Sequence, residues 1–352
     1  MTSAEAATPE APTAAAAVFQ MITGHYVSTA INTAARIELA DAMNDEPTEH
    51  TVLAERTGTY PESLLRLLYL LASVGLVSDE GDNRFALTGT GRLLRKGGED
   101  SLHAVALLHG GSGHIQRWFA LHDVVHDAPK SVDVEPQGNP FAKMPPHVAA
   151  IFNGAMTFFT RHTAQAVLQA YDFTQFTTLA DIGGGQGSLL AAILRSTPGL
   201  HGILFDLPSV VEASGNRTLD EAGVADRCEV VGGDFFTAVP AGADAYLLKN
   251  VIHDWDDERS RTLLTNIRQA MKPGSKVLLV ETVRPDRFGT ALTDRLAAYG
   301  HLGMLLNGGA ERSRAEYAAL FDSAGLAFSN VVPVRPAWTG VASTSVIEAV
   351  CA

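Results

Sequence analysis

A glycine-rich segment has the composition of a loop that binds a nucleotide-like ligand. The run Asp181-Ile182-Gly183-Gly184-Gly185-Gln186-Gly187 follows a strand-like stretch and leads into a helical one that begins at Ser188. Glycines there allow a sharp turn and a close approach of the backbone to a ligand. The loop could hold NAD, although Ser188 replaces the last glycine of that pattern, or the methionine end of S-adenosylmethionine. A purely structural tight turn is the third interpretation.

Two acidic residues stand at the ends of the next two strand-like runs. Asp206 comes 23 positions after Gly183, where a carboxylate can accept hydrogen bonds from ribose hydroxyls. Asp234 ends the following run, where a carboxylate can bind an adenine amino group while Phe235 covers the ring. Both positions suit NAD and S-adenosylmethionine, so they predict an adenosyl cofactor without choosing between the two.

A histidine segment further along the chain is more specific. The run Lys249-Asn250-Val251-Ile252-His253-Asp254-Trp255 resembles the His-Asp-Trp signature of the S-adenosylmethionine-dependent small-molecule O-methyltransferases. That family includes plant caffeate and flavonoid enzymes and bacterial polyketide and phenazine tailoring enzymes. The resemblance extends from about residue 15 to the end, and its supporting motifs follow in order: Phe205-Asp206-Leu207-Pro208, Gly232-Gly233-Asp234-Phe235-Phe236, Lys272-Pro273-Gly274 and Gly308-Gly309-Ala310-Glu311-Arg312.

The resemblance implies S-adenosyl-L-methionine as the cofactor, and we expect no metal. The positions that match the family's cofactor site are Gly183 and Gly185 in the loop, Asp206 as the ribose-binding acid, Asp234 and Phe235 as the adenine pair, and Lys249 as a lysine that lines the site.

The resemblance also implies a set of acid–base residues. His253 matches the family's general base, and Glu281 and Glu311, 28 and 58 positions further on, match the acids that orient it. These residue types fit the chemistry, because an imidazole can take a proton from a phenol while a carboxylate on its far nitrogen fixes the tautomer. The acids from Asp254 to Glu258 are expected to begin a helix rather than to bind magnesium.

Acceptor contacts are expected at six residues: Phe152, Met156, Phe159, Trp255, His301 and Met304. His301 departs from the family, whose members usually carry an acid before the Leu-x-Met-Leu of this segment. The expected reaction is methyl transfer to a phenolic or enolic hydroxyl of a small aromatic or polyketide-like secondary metabolite. A diverged reaction with the same cofactor, by C-methylation, hydroxylation, decarboxylation or cyclisation, remains the alternative.

The elements that must position these residues predict an α/β fold. From about residue 160, strand-like and helical runs alternate, which is typical of a Rossmann-like, doubly wound parallel sheet. Before it, a helix beginning near Pro61 and a hairpin turning at 78–83 give the outline of a winged helix. We expect a disordered tail over 1–14, a winged-helix-like dimerisation and substrate-lining domain over 15–155, and an S-adenosylmethionine-binding methyltransferase domain over 156–352.

Composition and charge argue against other classes of protein. The 352 residues carry a net charge of −13, and the first hundred carry seven basic against fourteen acidic residues, the wrong sign for a DNA-binding regulator. Two cysteines are too few for a disulfide framework. Runs of about 18 apolar residues are absent from the sequence. We expect a cytoplasmic homodimer with a small-molecule substrate and with neither nucleic acid nor membrane as a partner.

Overall fold

The computed structural model describes residues 13–127, 144–214, 217–341 and 343–351. The chain divides into two compact units, Met1–Ile115 and Gln116–Ala352. Most of the predicted tail, residues 1–12, lies outside the described residues, and Thr13 caps the first helix. The predicted domain boundary at residue 155 falls inside a helix, Pro146–Ala170, and it stays a prediction. None of the described helices is both long and apolar enough to cross a bilayer.

The first unit has the predicted winged-helix outline. Its elements are α1 (Ala14–Ile22), α2 (Gly24–Arg36), α3 (Leu39–Ala42), β1 (Thr48–Glu49), α4 (His50–Thr57), α5 (Pro61–Ser73), β2 (Val77–Asp79), β3 (Arg84–Leu87), a 3-10 turn (Gly91–Leu94) and α6 (His103–His109), and α7 (Ser112–Phe119) leads out of it. Strand β3 pairs antiparallel with both β1 and β2. Leu53, Leu68 and Phe85 are fully buried, so the hairpin packs on the helices through one apolar core.

The second unit is built on one large sheet. Its elements are α8 (Leu121–Asp127), α9 (Pro146–Ala170), β4 (Thr178–Ile182), α10 (Ser188–Ser196), β5 (His201–Asp206), α11 (Pro208–Ser214), α12 (Arg217–Glu221), a 3-10 turn (Ala225–Arg227), β6 (Cys228–Gly232), β7 (Ala245–Lys249), a 3-10 turn (Ile252–Asp254), α13 (Asp257–Ala270), β8 (Lys276–Glu281), α14 (Leu292–Leu305), α15 (Arg314–Ser323), β9 (Leu326–Val334) and β10 (Thr344–Cys351).

The sheet confirms the predicted parallel core and adds an antiparallel edge. Among the described residues the strand order is β6-β5-β4-β7-β8-β10-β9. The first five strands are parallel, while β10 runs antiparallel to both β8 and β9, a pair that the sequence pattern did not predict. Because parallel strands end at one edge, the loops after β4, β5, β7 and β8 meet there.

Both faces of the sheet are covered, which accounts for the continuous apolar strands. Leu247 and Leu278 face the core that includes residues of α9 and α10, whereas their neighbours Leu248 and Leu279 face the core of α13 and α15. This alternation follows from the two-residue period of a strand. The sheet is therefore a rigid support for the loops at its carboxyl edge.

The packing of α13 gives a stability prediction. Leu263 is fully buried beneath the sheet, so Leu263→Ala should lower the free energy of unfolding by about 2–5 kcal/mol through lost burial and a residual cavity. Thermal and urea unfolding measure the loss. Arg261→Ala, at an exposed position of the same helix, should change it by less than about 0.5 kcal/mol. Equal unfolding midpoints for the two variants would contradict this packing.

Candidate active site

The glycine loop after β4 adopts backbone conformations that favour glycine. Gly183, Gly185 and Gly187 have φ angles of 70°, 59° and 76°, in the left-handed region where a side chain is strained. A Cβ at Gly183 would lie 2.9 Å from Cγ2 of Val251, and one at Gly184 would lie 2.7 Å from Oδ2 of Asp181. The loop therefore presents bare backbone, as the close approach of a ligand requires.

Asp206 at the end of β5 is tied to that loop. Its Oδ2 accepts a hydrogen bond of 2.7 Å from the backbone N–H of Gly185, and its Oδ1 accepts one of 2.7 Å from Leu207. Burial raises the pKa of Asp206, and the two backbone bonds oppose that rise. Each carboxylate oxygen has a second lone pair, so the side chain can still accept from a pair of ligand hydroxyls.

A cavity of about 220 Å³ opens at this edge of the sheet. It is lined by eight of the residues predicted for the cofactor or the acceptor: Gly183, Gly185, Asp206, Phe235, Lys249, Phe152, Met156 and Trp255. Helix α9 contributes one stripe with the period of a helix: Ala149, Phe152, Asn153, Met156, Thr157 and Thr160. The cavity thus has a helical wall of apolar and polar side chains in addition to the glycine loop.

His253 lies in the 3-10 turn after β7, beside two buried glutamates. Its Nδ1 is 3.0 Å from Oε1 of Glu311 and 3.5 Å from Oε2 of Glu281. The other nitrogen, Nε2, is 3.7 Å from Oδ1 of Asp254, which lines the cavity. Three atoms that could bind a metal ion, one each from His253, Glu281 and Glu311, lie within 4.8 Å of one another. Such a set can hold a metal cation or a shared proton. The hydrogen-bond distance between Nδ1 of His253 and Oε1 of Glu311 favours a shared proton.

Glu281 also fixes the backbone that carries His253. Its Oε1 accepts hydrogen bonds of 2.8 Å and 2.9 Å from the N–H groups of Val251 and Ile252. The chain reaches this position through Asn250, whose φ of 53° is unusual for a residue other than glycine. Glu281 at the end of β8 therefore holds the backbone at the two residues that precede His253.

Arg312 holds the same turn from the other side. Its buried guanidinium donates to the carbonyl of Ile252 at 3.1 Å and to that of Trp255 at 2.9 Å, and it also bonds Asp257 at 2.8 Å. The backbone N–H of Ala310 donates to the carbonyl of His253 at 2.9 Å. Because Glu311 lies between Ala310 and Arg312, these bonds fix the glutamate and the histidine relative to each other.

The charges around His253 determine its protonation. Burial alone would lower the pKa of the imidazole, but the charges of Glu281, Asp254 and Glu311 outweigh it and raise the pKa to about 10. Burial raises the pKa of Glu281 to about 7 and that of Asp254 to about 6, although His253 opposes both. The free protein therefore holds a proton on His253 at neutral pH.

Seven predicted site residues are not part of the cavity lining: His253, Glu281 and Glu311, described above, and the four that follow. Asp234 is exposed and its Oδ1 accepts from the N–H of Phe236 at 2.9 Å. The ring of Phe159 lies beside the cavity stripe of α9 and is 5.6 Å from that of Trp338. Two others lie on α14, where the carbonyl of Met304 accepts from Gly309 and the buried Nδ1 of His301 has no hydrogen-bond partner among the described residues. The roles predicted for these four residues, like those of the other site residues, stay predictions.

Trp255 lies against Phe236, with ring centres 4.8 Å apart, and its indole N–H has no hydrogen-bond partner within the described part of the chain. A buried donor without a partner is unfavourable. Because Trp255 lines the cavity beside Phe235, a ligand that offers an acceptor atom fits this end of the site.

Three functional candidates were missed by sequence reasoning. Asp181 lines the cavity, and burial together with the charge of Asp206 raises its pKa to about 7 despite the opposing effect of Lys249. Asp254 was assigned to a helix start, yet it faces Nε2 of His253, and Asp256 caps α13 through the N–H of Arg259. Arg312 belongs to a motif already noted. The motifs contained all three, but only tertiary structure shows their partners.

Known families match the chain almost from end to end. The model of the O-methyltransferase domain matches residues 118–327, more than half of the chain, and that of the O-methyltransferase dimerisation domain matches residues 19–97. The phenazine O-methyltransferase PhzM of Lysobacter antibioticus is 40% identical over 325 residues, which are 90% of this chain and 92% of that protein.

Solved structures agree with the sequence relatives. The crystal structure of LaPhzM has a TM-score of 0.88 at 37% identity and covers 97% of this chain and 100% of its own. CalO1, a methyltransferase in calicheamicin biosynthesis solved in its SAH-bound form, has a TM-score of 0.74 at 31% identity and covers 96% and 98%. The fold class and the cofactor predicted from the sequence are confirmed.

The electrostatics of the site predict an unusual titration. In the cofactor-free protein the imidazole of His253 should titrate far above its ordinary pKa of about 6.5, because three acids stabilise the protonated ring. Histidine ring resonances followed by NMR from pH 5 to 11 measure this, with His253→Gln identifying the signal. His201, exposed at the start of β5, provides the comparison in the same spectra. Titration of His253 below pH 7 would contradict the charge arrangement.

Proposed function

The chain belongs to the S-adenosylmethionine-dependent O-methyltransferases of the secondary-metabolite type, and from that premise we propose that His253 is the general base for methylation of a phenolic or enolic hydroxyl. The observation that carries this proposal is the contact between Nδ1 of His253 and Oε1 of Glu311 at 3.0 Å. A carboxylate on Nδ1 keeps a proton on that nitrogen, so the lone pair of the neutral ring lies on Nε2. That nitrogen is then the one available to the acceptor hydroxyl.

The basicity of His253 suits a phenol. A phenolic hydroxyl has a pKa of about 10. The acids around His253 raise the pKa of the imidazole to about 10. A general base works best when its pKa lies near the operating pH, where the unprotonated ring is available. The neutral ring is scarce at pH 7 in the free protein, but any positive charge brought into the cavity lowers the pKa of a neighbouring imidazolium.

The residues that would hold the cofactor fit an adenosyl ligand with a charged amino acid end. The bare backbone of Gly183–Gly185, the second lone pairs of Asp206 and the ring of Phe235 supply close approach, hydroxyl acceptors and an apolar cover. S-adenosylmethionine supplies the methyl group on an activated sulfonium. The protein has only to orient the acceptor oxygen and remove its proton, and orientation accounts for much of the acceleration.

The cavity wall supports a planar and largely apolar acceptor. On α9 the apolar side chains of Phe152 and Met156 alternate around the helix with Asn153 and Thr157. Such a wall combines apolar area with a few polar groups that can fix orientation. We infer a fused-ring or polyketide-like hydroxyarene, with Met156 and Phe152 against its face.

Removal of the imidazole tests the base assignment. His253→Ala should lower kcat about 10²–10⁴-fold, because general-base catalysis typically contributes that factor, while S-adenosylhomocysteine should bind as it does to the unaltered protein. A panel of hydroxynaphthoates, hydroxyphenazines and flavonoids, assayed with methyl-labelled cofactor, measures turnover, and calorimetry measures cofactor affinity. His201→Ala, at an exposed position on the opposite edge of the sheet, is the control.

The same assay separates the proposal from its alternative. Label recovered as an ether methyl supports O-methylation. Label recovered as a methyl group on carbon indicates C-methylation, and a product that lacks label indicates a diverged reaction that uses the cofactor without methyl transfer. Full turnover by His253→Ala would remove the general-base role.

We propose that the chain works as a homodimer, within which the first unit supplies the interface. Phe19, Met21 and Ile22 on α1 are 65%, 78% and 66% exposed, and apolar surface of this kind indicates a partner. Phe19→Glu combined with Met21→Glu should shift sedimentation at micromolar concentration from dimer to monomer. A monomeric unaltered protein would contradict the proposal.

The cytoplasmic location stays a prediction.

A further inference from the structure

Helix α14 passes close to the pair formed by His253 and Glu311, and the residue at the point of approach is Gly300. A Cβ at Gly300 would lie 3.2 Å from Oε1 of Glu311, 3.6 Å from its Cγ and 3.8 Å from its Cδ. The first of these atoms is the oxygen that lies 3.0 Å from Nδ1 of His253. Glu311 is 3% exposed, so the carboxylate has little room to retreat from an added methyl group.

The backbone at Gly300 does not itself call for glycine. The residue lies inside a regular helix, where alanine is favoured over glycine by about 1 kcal/mol. Glycine at this position therefore weakens α14, and the feature that offsets this loss is the space left beside Glu311.

We propose that Gly300 is a positioning residue, which lets the Glu311 carboxylate reach hydrogen-bond distance of Nδ1 of His253 by leaving the helix surface bare. The role assigned to Gly300 depends on the proposed function of His253. An added Cβ must push Oε1 away by a few tenths of an ångström. The backbone is held on both sides of Glu311, because the N–H of Ala310 donates to the carbonyl of His253 and the carbonyl of Arg312 accepts from the N–H of Arg284. The displacement therefore falls on the side chain of Glu311 and its bond to Nδ1.

The charged groups around His253 set the sign of the effect. Glu281 faces it from β8, Asp254 from its own turn, and Glu311 from the loop after α14. Lys249 at the end of β7 acts on Glu281, and α14 contributes His301, next to Gly300. Of these, Glu311 is the one that a Cβ at 300 would touch. Its bond stabilises the imidazolium, so weakening it lowers the pKa of His253.

The test compares two glycines of one helix. Gly300→Ala should lower the pKa of His253 in the cofactor-free protein and reduce kcat about tenfold or more, since small misplacements of catalytic groups are costly. Its melting temperature should not fall, because alanine strengthens the helix. Gly303→Ala is the matched control, because a Cβ there meets nothing within 4 Å; it should gain the same helix stability and keep the pKa of His253. An unchanged pKa of His253 in Gly300→Ala would overturn the proposal.

A second variant keeps the proposal testable if the first does not fold. In a Glu311→Ala background the space beside residue 300 is empty, so Gly300→Ala should then leave the pKa of His253 unchanged. Folding of the double variant when the single one fails would locate the clash at the carboxylate, as proposed. Failure of both, or an equal pKa shift in both backgrounds, would overturn it. The titration requires no turnover. Failure of the Gly300 proposal can therefore be distinguished from failure of the general-base assignment, which the His253→Ala assay reports.

Discussion

The proposed active site depends on keeping one imidazole in fixed contact with buried carboxylates. Burying a single charge is expensive, whereas an imidazolium beside acids can be buried because the opposite charges compensate. Glu281 and Glu311 approach Nδ1 of His253, and Asp254 approaches Nε2. This arrangement raises the pKa of the ring above its ordinary value, and it makes the geometry of the turn decisive.

The fold supplies that geometry through elements that are far apart in sequence. Strand β8 ends at Glu281, which binds the backbone before the histidine. The loop after α14 brings Glu311 and the Arg312 guanidinium to the same turn, and α14 leaves room for the carboxylate at Gly300. The contact of Glu281 is fixed by a strand of the sheet, whereas the contact of Glu311 depends on a loop that is held through hydrogen bonds to the histidine turn and to Arg284. We therefore regard the second contact as the more easily disturbed.

Much of the fold follows from local sequence, because glycine loops and apolar runs mark the ends of parallel strands. The strand Thr178–Ile182 ends at the glycine loop, as the sequence predicts. The antiparallel pair β9 and β10 was not predicted, since its register is set by pairing with β8 rather than by local pattern. In the site, the approach of Asp254 to Nε2 could not be predicted, because a neighbour in sequence can face either side of a turn. The space at Gly300 likewise depends on how α14 packs.

A structure of the ternary complex tests the central claim most directly. The chain would be crystallised with S-adenosylhomocysteine and the acceptor that reacts fastest with it, and the distance from Nε2 of His253 to the acceptor oxygen would be measured. We expect about 2.6–3.2 Å, the range of a working general base, with Nδ1 still bonded to Glu311. An acceptor oxygen beyond the reach of Nε2, even through one water, would contradict the account.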